Sequence, residues 1–492
     1  MGRRAMRFLT PRLPPYPGPF TVGSVEIEIP SPWPAVYDAI ETAVETLQFR
    51  VFYPADVQDP SNEKNPYWFP EDRREYLKNF VTFSGRSSTL ATFLSHIPFV
   101  PDVTLPCLSN VPLLEPPENH KWPVVMFSHG LGGTRNAYSQ FCGSLASHGH
   151  VVIAPEYRDK SAPVTYVRDF SAAGYVRKVV KYQRMMEVST SARILRTYQL
   201  VQRVRETLSI LKILLEKNIV LVPMGETNPI KFDWSYVDTR REKVVYAGHS
   251  FGAATSVVLV KGVYHVLEFL HQHDSDAAAS NPTGTEEIPS SITLDGPIDR
   301  TDEFLRPQRA QALLLLDPWC IPIYQTMGIP LTVPTMAILS QAFYAWSANM
   351  ALVYQLLSNS GCVPGTAPPL KVHLFLTKPS AHHSQSDIAL LFPGLTRYAF
   401  NVPECTFETQ TAVMSMNVAG CVEFLRENGT NSFDVTDERE GLIKTQSMEQ
   451  DKDDPTAFVL QGYLVADNMV KGWSRLNVRD DITVVDILAD DR

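Results

Sequence analysis

Several things are missing from this 492-residue chain, and each absence narrows the reading. No stretch reaches the roughly 18 uninterrupted apolar residues of a helical membrane span, so none is expected. Excess positive charge is also missing: 44 Lys+Arg face 53 Asp+Glu, a formal charge of −9, which argues against a nucleic-acid partner. The six cysteines, Cys107, Cys142, Cys320, Cys362, Cys405 and Cys421, form no C-x-x-C pair and have no histidines at zinc spacing. We therefore expect no metal and mostly free thiols. The start lacks an apolar secretory core, since Met1–Thr10 runs straight into Pro11, Pro14, Pro15 and Pro17. Gly2 is present, but Met6 stands where a myristoylation signal needs Ser or Thr. Glycine is scarce beside proline, 25 against 38, which points to stiff loops rather than a helical bundle or coiled coil.

What remains is the composition of an ordinary soluble globular protein, 44% hydrophobic, 20% charged and 10% aromatic. A length prior of roughly 150 residues per domain suggests about three domains, yet α/β enzymes build one large domain of this size. Up to about Pro117 the chain alternates strand-like runs, Thr21–Ile29 and Phe49–Tyr53, with a loop-rich stretch from Pro54 to Pro117. From Trp122 the pattern changes. Val124–Phe127 reads as a buried strand, Asn136 as the cap of a helix carrying Tyr138, Phe141 and Leu145, and Val151–Ala154 as the next strand. This βαβ unit implies a mostly parallel sheet covered on both faces, an α/β fold. Ser191–Asn218 reads as a long helix whose Arg193, Arg196, Arg203 and Arg205 form a solvated face over a core stripe. Further strands are expected at Val244–Ala247, Leu313–Leu316, Thr335–Leu339 and Val372–Leu376. The expected organisation is a Pro-rich segment 1–18, one catalytic domain 19–428 with a polar insertion at 271–293, and an acidic extension 429–492.

Gly248-His249-Ser250-Phe251-Gly252 matches G-x-S-x-G directly after a buried strand and before the small-residue run Ala253–Ser256. That is the setting of a nucleophile elbow in α/β-hydrolases, where a serine projects from a sharp turn at a helix N-terminus. His129-Gly130-Leu131-Gly132-Gly133, at the end of an earlier strand, is placed to supply the other half of an oxyanion hole. Its donors would be the backbone N–H groups of Leu131 and Phe251. A serine nucleophile also needs a base and an orienting carboxylate, which this fold supplies downstream in the order acid, then histidine. Asp295 and Asp317 both end apolar runs, and His382 and His383 both follow the strand Val372–Leu376; His373, inside that strand, reads as structural. Spacing leaves both choices open.

With those motifs in place, the chain resembles the platelet-activating factor acetylhydrolases of the plasma and type II intracellular kind, fungal relatives above all, from Pro19 to Asn428. The resemblance rests on Gly18–Gly23, Phe127–Gly132 with Tyr138-Ser139, Leu145–Gly149, Tyr157–Ser161, Gly248–Ala253, Leu316-Asp317-Pro318-Trp319 and His382–Asp387. It implies an α/β-hydrolase with nucleophile Ser250, acid Asp317, base His382 and oxyanion donors Leu131 and Phe251. Asp295 and His383 remain the alternative acid and base. It further implies a calcium-independent, phospholipase A2-type serine esterase with no cofactor. Its substrates would be platelet-activating factor and phospholipids with short or oxidised sn-2 chains. Transient contact with a membrane or micelle surface and a cytoplasmic, peripheral location are expected. Trp319 and Phe343 could line the acyl pocket, although core packing is the plainer role for each. The rival readings are a broad carboxylesterase and a catalytically silent hydrolase-fold binding protein.

Overall fold

The computed structural model describes residues 11–31, 45–70, 72–97, 102–170, 176–183, 190–267, 303–358, 371–399, 405–430, 448–450, 457–460 and 472–476. Asp295 and the insertion at 271–293 lie outside them.

The first strands are β1 (Val22–Pro30), β2 (Thr46–Pro54), β3 (Leu108–Ser109), β4 (Val124–Ser128) and β5 (Val151–Glu156). They are followed by β6 (Val164–Asp169), β7 (Val176–Lys181), β8 (Val245–His249), β9 (Ala312–Leu316), β10 (Thr335–Ser340) and β11 (Val372–Lys378). Near the C-terminus come β12 (Met448–Gln450), β13 (Ala457–Leu460) and β14 (Gly472–Leu476). Among the described residues one sheet has the order β12-β13-β14-β11-β10-β9-β8-β4-β5-β2-β1-β3. From β5 to β11 every neighbouring pair is parallel, while β2 pairs antiparallel with β5 and β1 with β2. This mostly parallel sheet flanked by helices is an α/β-hydrolase fold. The C-terminal stretch extends it through β14, which pairs antiparallel with β11.

Side chains alternate across a strand, so a sheet covered on both faces demands apolar residues at every position. The run Ala312–Leu316 does this: Leu313 and Leu315 enter one core layer, and Ala312, Leu314 and Leu316 the other. The first layer also holds helices Thr190–Leu211 and Phe251–Lys261, and the second helices Ser139–Ser147 and Phe407–Glu427. The five described cysteines are free and buried. No described helix is long and apolar enough to cross a membrane.

Three expectations are corrected. The stretch after Pro54 contains helices Arg73–Phe83 and Ser88–Ser95, the second capped by the Ser87 hydroxyl. The arginines of Thr190–Leu211 are not a solvated face: Arg196 is 4% exposed and Arg203 0%, because their partners are buried with them. Asn136 does not cap the helix beyond it, which begins at Ser139; its side chain instead accepts from Arg50 Nε at 2.7 Å and donates to the Trp68 carbonyl at 2.9 Å. Of the N-terminal segment, Gly18 is joined to helix Ser139–Ser147 by a hydrogen bond from its N–H to Ser147 Oγ, 2.9 Å. Gly143 of that helix has no room for a side chain, as a Cβ would fall 2.1 Å from the Tyr16 ring.

Candidate active site

The strand ends carry the candidate residues to one edge of the sheet. Ser250 follows β8 directly, with φ 56° and ψ −118°, a strained conformation for a non-glycine residue. The flanking glycines make the turn possible: a Cβ on Gly248 would lie 2.3 Å from the Gly252 carbonyl oxygen, and one on Gly252 only 1.9 Å from that of Ser128. The elbow is tied to the next strand, since Ser250 N–H donates to the Leu316 carbonyl at 2.9 Å and Trp319 N–H to the Ser250 carbonyl at 3.3 Å.

One residue beyond Leu316, Asp317 is fully buried and also has a positive φ, 44°. Its carboxylate accepts from Ser340 N–H and Ser340 Oγ, each at 2.6 Å, and lies 2.9 Å from His382 Nδ1. Ser340 was not anticipated, although a polar residue closing the apolar strand β10 was the available signal. His382 opens the short helical turn His382–Gln385 after β11, and its side chain is 29% exposed, open enough to meet a substrate. The next residue, His383, is not near Asp317 in any hydrogen bond described; burial, then the charge of His382, depresses its pKa to about 3 and keeps it neutral.

The same loop ends in Asp387, which caps helix Ser139–Ser147 from 248 residues away in sequence. Asp387 accepts from Ser139 N–H at 2.9 Å, Ser139 Oγ at 2.5 Å, Gln140 N–H at 2.9 Å and Trp68 Nε1 at 2.8 Å. Burial pushes its pKa up to about 6, against the pull of those donors. The cap that sequence reasoning sought in Asn136 is thus supplied by tertiary structure.

The oxyanion candidates lie against the elbow. A Cβ on Gly130 would sit 3.2 Å from Ser250 Cβ. Phe251 is the first residue of its helix, where an N–H has no intrahelical acceptor, and neither it nor Leu131 N–H finds one among the described residues. Tyr138 OH accepts from Gly130 N–H at 3.2 Å and meets His249 Nδ1 at 2.8 Å. Burial, followed by the charges of His382 and His383, holds His249 well below the ordinary histidine range. Around the candidate base, the Phe343 ring stacks on His382 and Trp346 packs edge-on against Phe343. Trp319 lies with its ring centroid 5.8 Å from that of Phe251.

His249, Asp317 and His382 offer donor atoms within 4.8 Å of one another. The fit to a cation is poor, because both Asp317 oxygens already accept hydrogen bonds, one of them from His382 itself. Ser250 Oγ makes no hydrogen bond among the described residues, and catalytic hydrogen bonds commonly tighten only with substrate in place.

Residues 6–447 match the family model described as platelet-activating factor acetylhydrolase, isoform II. The chain belongs to this family. Along 94% of its length and 98% of the relative's, it is 27% identical to a protein of Schizosaccharomyces pombe named putative phospholipase A2. It is 33% identical to the platelet-activating factor acetylhydrolase of Gallus gallus, over 50% of this chain and 56% of that one. It is 32% identical to the protein of that name from Canis lupus familiaris, over 42% of this chain and 45% of that one. The chain thus spans about half the length of these two vertebrate relatives and nearly all of the fungal one. The isoform II family places it among carboxylic ester hydrolases of the platelet-activating factor acetylhydrolase and phospholipase A2 type.

Proposed function

We propose that this chain is a serine esterase that hydrolyses the sn-2 ester of platelet-activating factor and of phospholipids with short or oxidised sn-2 chains. The observation that carries the proposal is the 2.9 Å approach of His382 Nδ1 to the buried Asp317 carboxylate, at the sheet edge where Ser250 sits in its strained elbow. In the proposed reaction His382 takes the Ser250 hydroxyl proton as Oγ attacks the ester carbonyl, and the N–H groups of Leu131 and Phe251 receive the developing oxyanion. The tetrahedral species collapses as His382 returns the proton to the departing sn-2 alcohol. Water, deprotonated by the same histidine, then attacks the acyl-enzyme, and His382 passes that proton to the departing Ser250 Oγ as the carboxylic acid is released. Asp317, held by Ser340, fixes the imidazole tautomer and stabilises its cation. No step calls on calcium, so a chelator is expected to leave the rate unchanged.

Phe343 and Trp319 flank this centre and suit the walls of an apolar acyl site. Contact with the lipid surface fits helix Ser88–Ser95, where Leu90 and Phe93 are 42% and 69% exposed. The preceding helix reaches the oxyanion turn, since a Cβ on Gly132 would lie 2.3 Å from the Phe83 ring.

Covalent labelling by a fluorophosphonate, present in the wild type and absent in Ser250→Ala, tests the nucleophile; an unlabelled wild type would leave a silent binding protein. Rates on short- and long-chain sn-2 phospholipids and on a simple aryl ester test the substrate. Hydrolysis of the aryl ester with none of either phospholipid would make it a broad carboxylesterase instead.

A further inference from the structure

A buried ion pair behind the oxyanion turn has no part in the chemistry above, yet it grips both ends of that turn. Arg203, in the middle of helix Thr190–Leu211, directs three donors at two loops, the one after β4 and the one between β5 and β6. Its Nη1 donates to the His129 carbonyl at 2.6 Å, its Nη2 to Ser161 Oγ at 2.6 Å, and its Nε to Asp159 Oδ2 at 2.7 Å. Ser161 completes the cluster: its N–H donates to Asp159 Oδ1 at 3.1 Å, its hydroxyl donates to the same oxygen, and its carbonyl accepts from Gly132 N–H at 2.8 Å. His129 and Gly132, on either side of the Gly130-Leu131 step, are therefore fastened to one rigid unit. The guanidinium carbon lies 4.6 Å from the Phe251 ring centroid and 4.5 Å from that of Tyr157. One side chain thus braces the residue of each oxyanion donor, through the backbone before Leu131 and through the ring of Phe251.

We infer that Arg203, with Asp159 and Ser161, is a positioning device that aims the Leu131 and Phe251 N–H groups at the transition-state oxygen. The inference rests on the reading of those two amides as the oxyanion hole. Both Arg203 and Asp159 are fully withdrawn from water, and a buried ion pair is a weak source of stability compared with apolar packing of the same volume. What the pair adds is geometry. A planar fork of five donors can hold a carbonyl, a hydroxyl and a carboxylate in fixed directions, and a lysine ammonium cannot.

The test uses the full-length chain with Arg203→Lys, which keeps the charge, and Ser161→Ala, which removes only a neutral hydroxyl and guards against misfolding. Active sites are counted by end-point fluorophosphonate labelling. On an aryl acetate, kcat per labelled site should fall about 10- to 100-fold with KM within about twofold, since oxyanion donors act on the transition state. Affinity for a trifluoromethyl ketone, whose adduct with Ser250 carries the oxyanion, should fall by the same factor. Unchanged kcat per labelled site, with only a lower unfolding midpoint, would overturn the inference, and so would a raised KM at full kcat. Labelling that survives in Ser250→Ala would overturn the active-site reading beneath it instead.

Discussion

The rings of Phe343 and His382 lie parallel, 8° apart in plane and 4.6 Å between centroids. The imidazole must become a cation in the proposed mechanism, and an aromatic face stabilises a cation by roughly 0.5–2 kcal/mol. Phe343→Leu keeps the apolar volume and removes that face, so kcat/KM on a short-chain ester should fall about 3- to 10-fold. Phe343→Tyr should retain most of the rate. Equal rates for the Leu variant and the wild type would reduce the stack to packing.

The two adjacent histidines should separate completely. His382→Ala should lose several orders of magnitude in kcat, as triad members do, while His383→Ala should keep most activity. His383 is held neutral far below working pH, and Asp317 reaches its neighbour. Steady-state rates for the two variants decide the assignment, and the reverse pattern would move the base by one residue.

Gly252→Ala should be strongly destabilised, because the new Cβ would lie 1.9 Å from a backbone oxygen that cannot swing aside. We expect destabilisation of at least about 3 kcal/mol, at the upper end for overpacking. Gly328→Ala, where nothing lies within 4 Å of the added Cβ, is the matched control and should unfold like the wild type. Denaturant midpoints compare the two.

Glu206 supplies a pH dependence. Its Oε1 accepts from Arg158 N–H at 3.2 Å and Gln202 Nε2 at 2.9 Å, its Oε2 has no partner among the described residues, and burial raises its pKa to about 7. A raised acid binds its proton more tightly folded than unfolded. Its stabilising contribution is therefore full below the unfolded value near 4.5 and is lost as pH rises through about 7. Glu206→Gln should match the wild type near pH 4.5 and exceed it by about 3 kcal/mol near pH 8.5. Urea unfolding at both pH values would show a gap that widens with pH, and a constant gap would refute the assignment.

What could be read from the sequence was whatever depends on contiguous residues. The elbow at Ser250, the glycine turn at Leu131 and the apolar strands ending at Asp317 and before His382 each need a short local pattern, and the structure brings Asp317 and His382 into contact. What escaped depends on partners far along the chain. Arg203 looked like a helix-surface charge because its acceptors, His129, Asp159 and Ser161, are at least 42 residues away. The helices Arg73–Phe83 and Ser88–Ser95 were hidden by flanking prolines and a weak apolar pattern. Asn136 had the right residue type for a cap, but a carboxylate from the other half of the molecule occupies that role.

That distant cap has a consequence for synthesis. Helix Ser139–Ser147, which follows the oxyanion turn, has the N–H groups of Ser139 and Gln140 met by a carboxylate made almost 250 positions later. A nascent chain that has reached only the elbow carries neither the proposed base nor the carboxylate that meets the helix beside it. On the proposed mechanism, activity is expected only once the chain has been made through Asp387, and a product that stops short of it would lack a scaffold contact as well as the proposed base's surrounding loop.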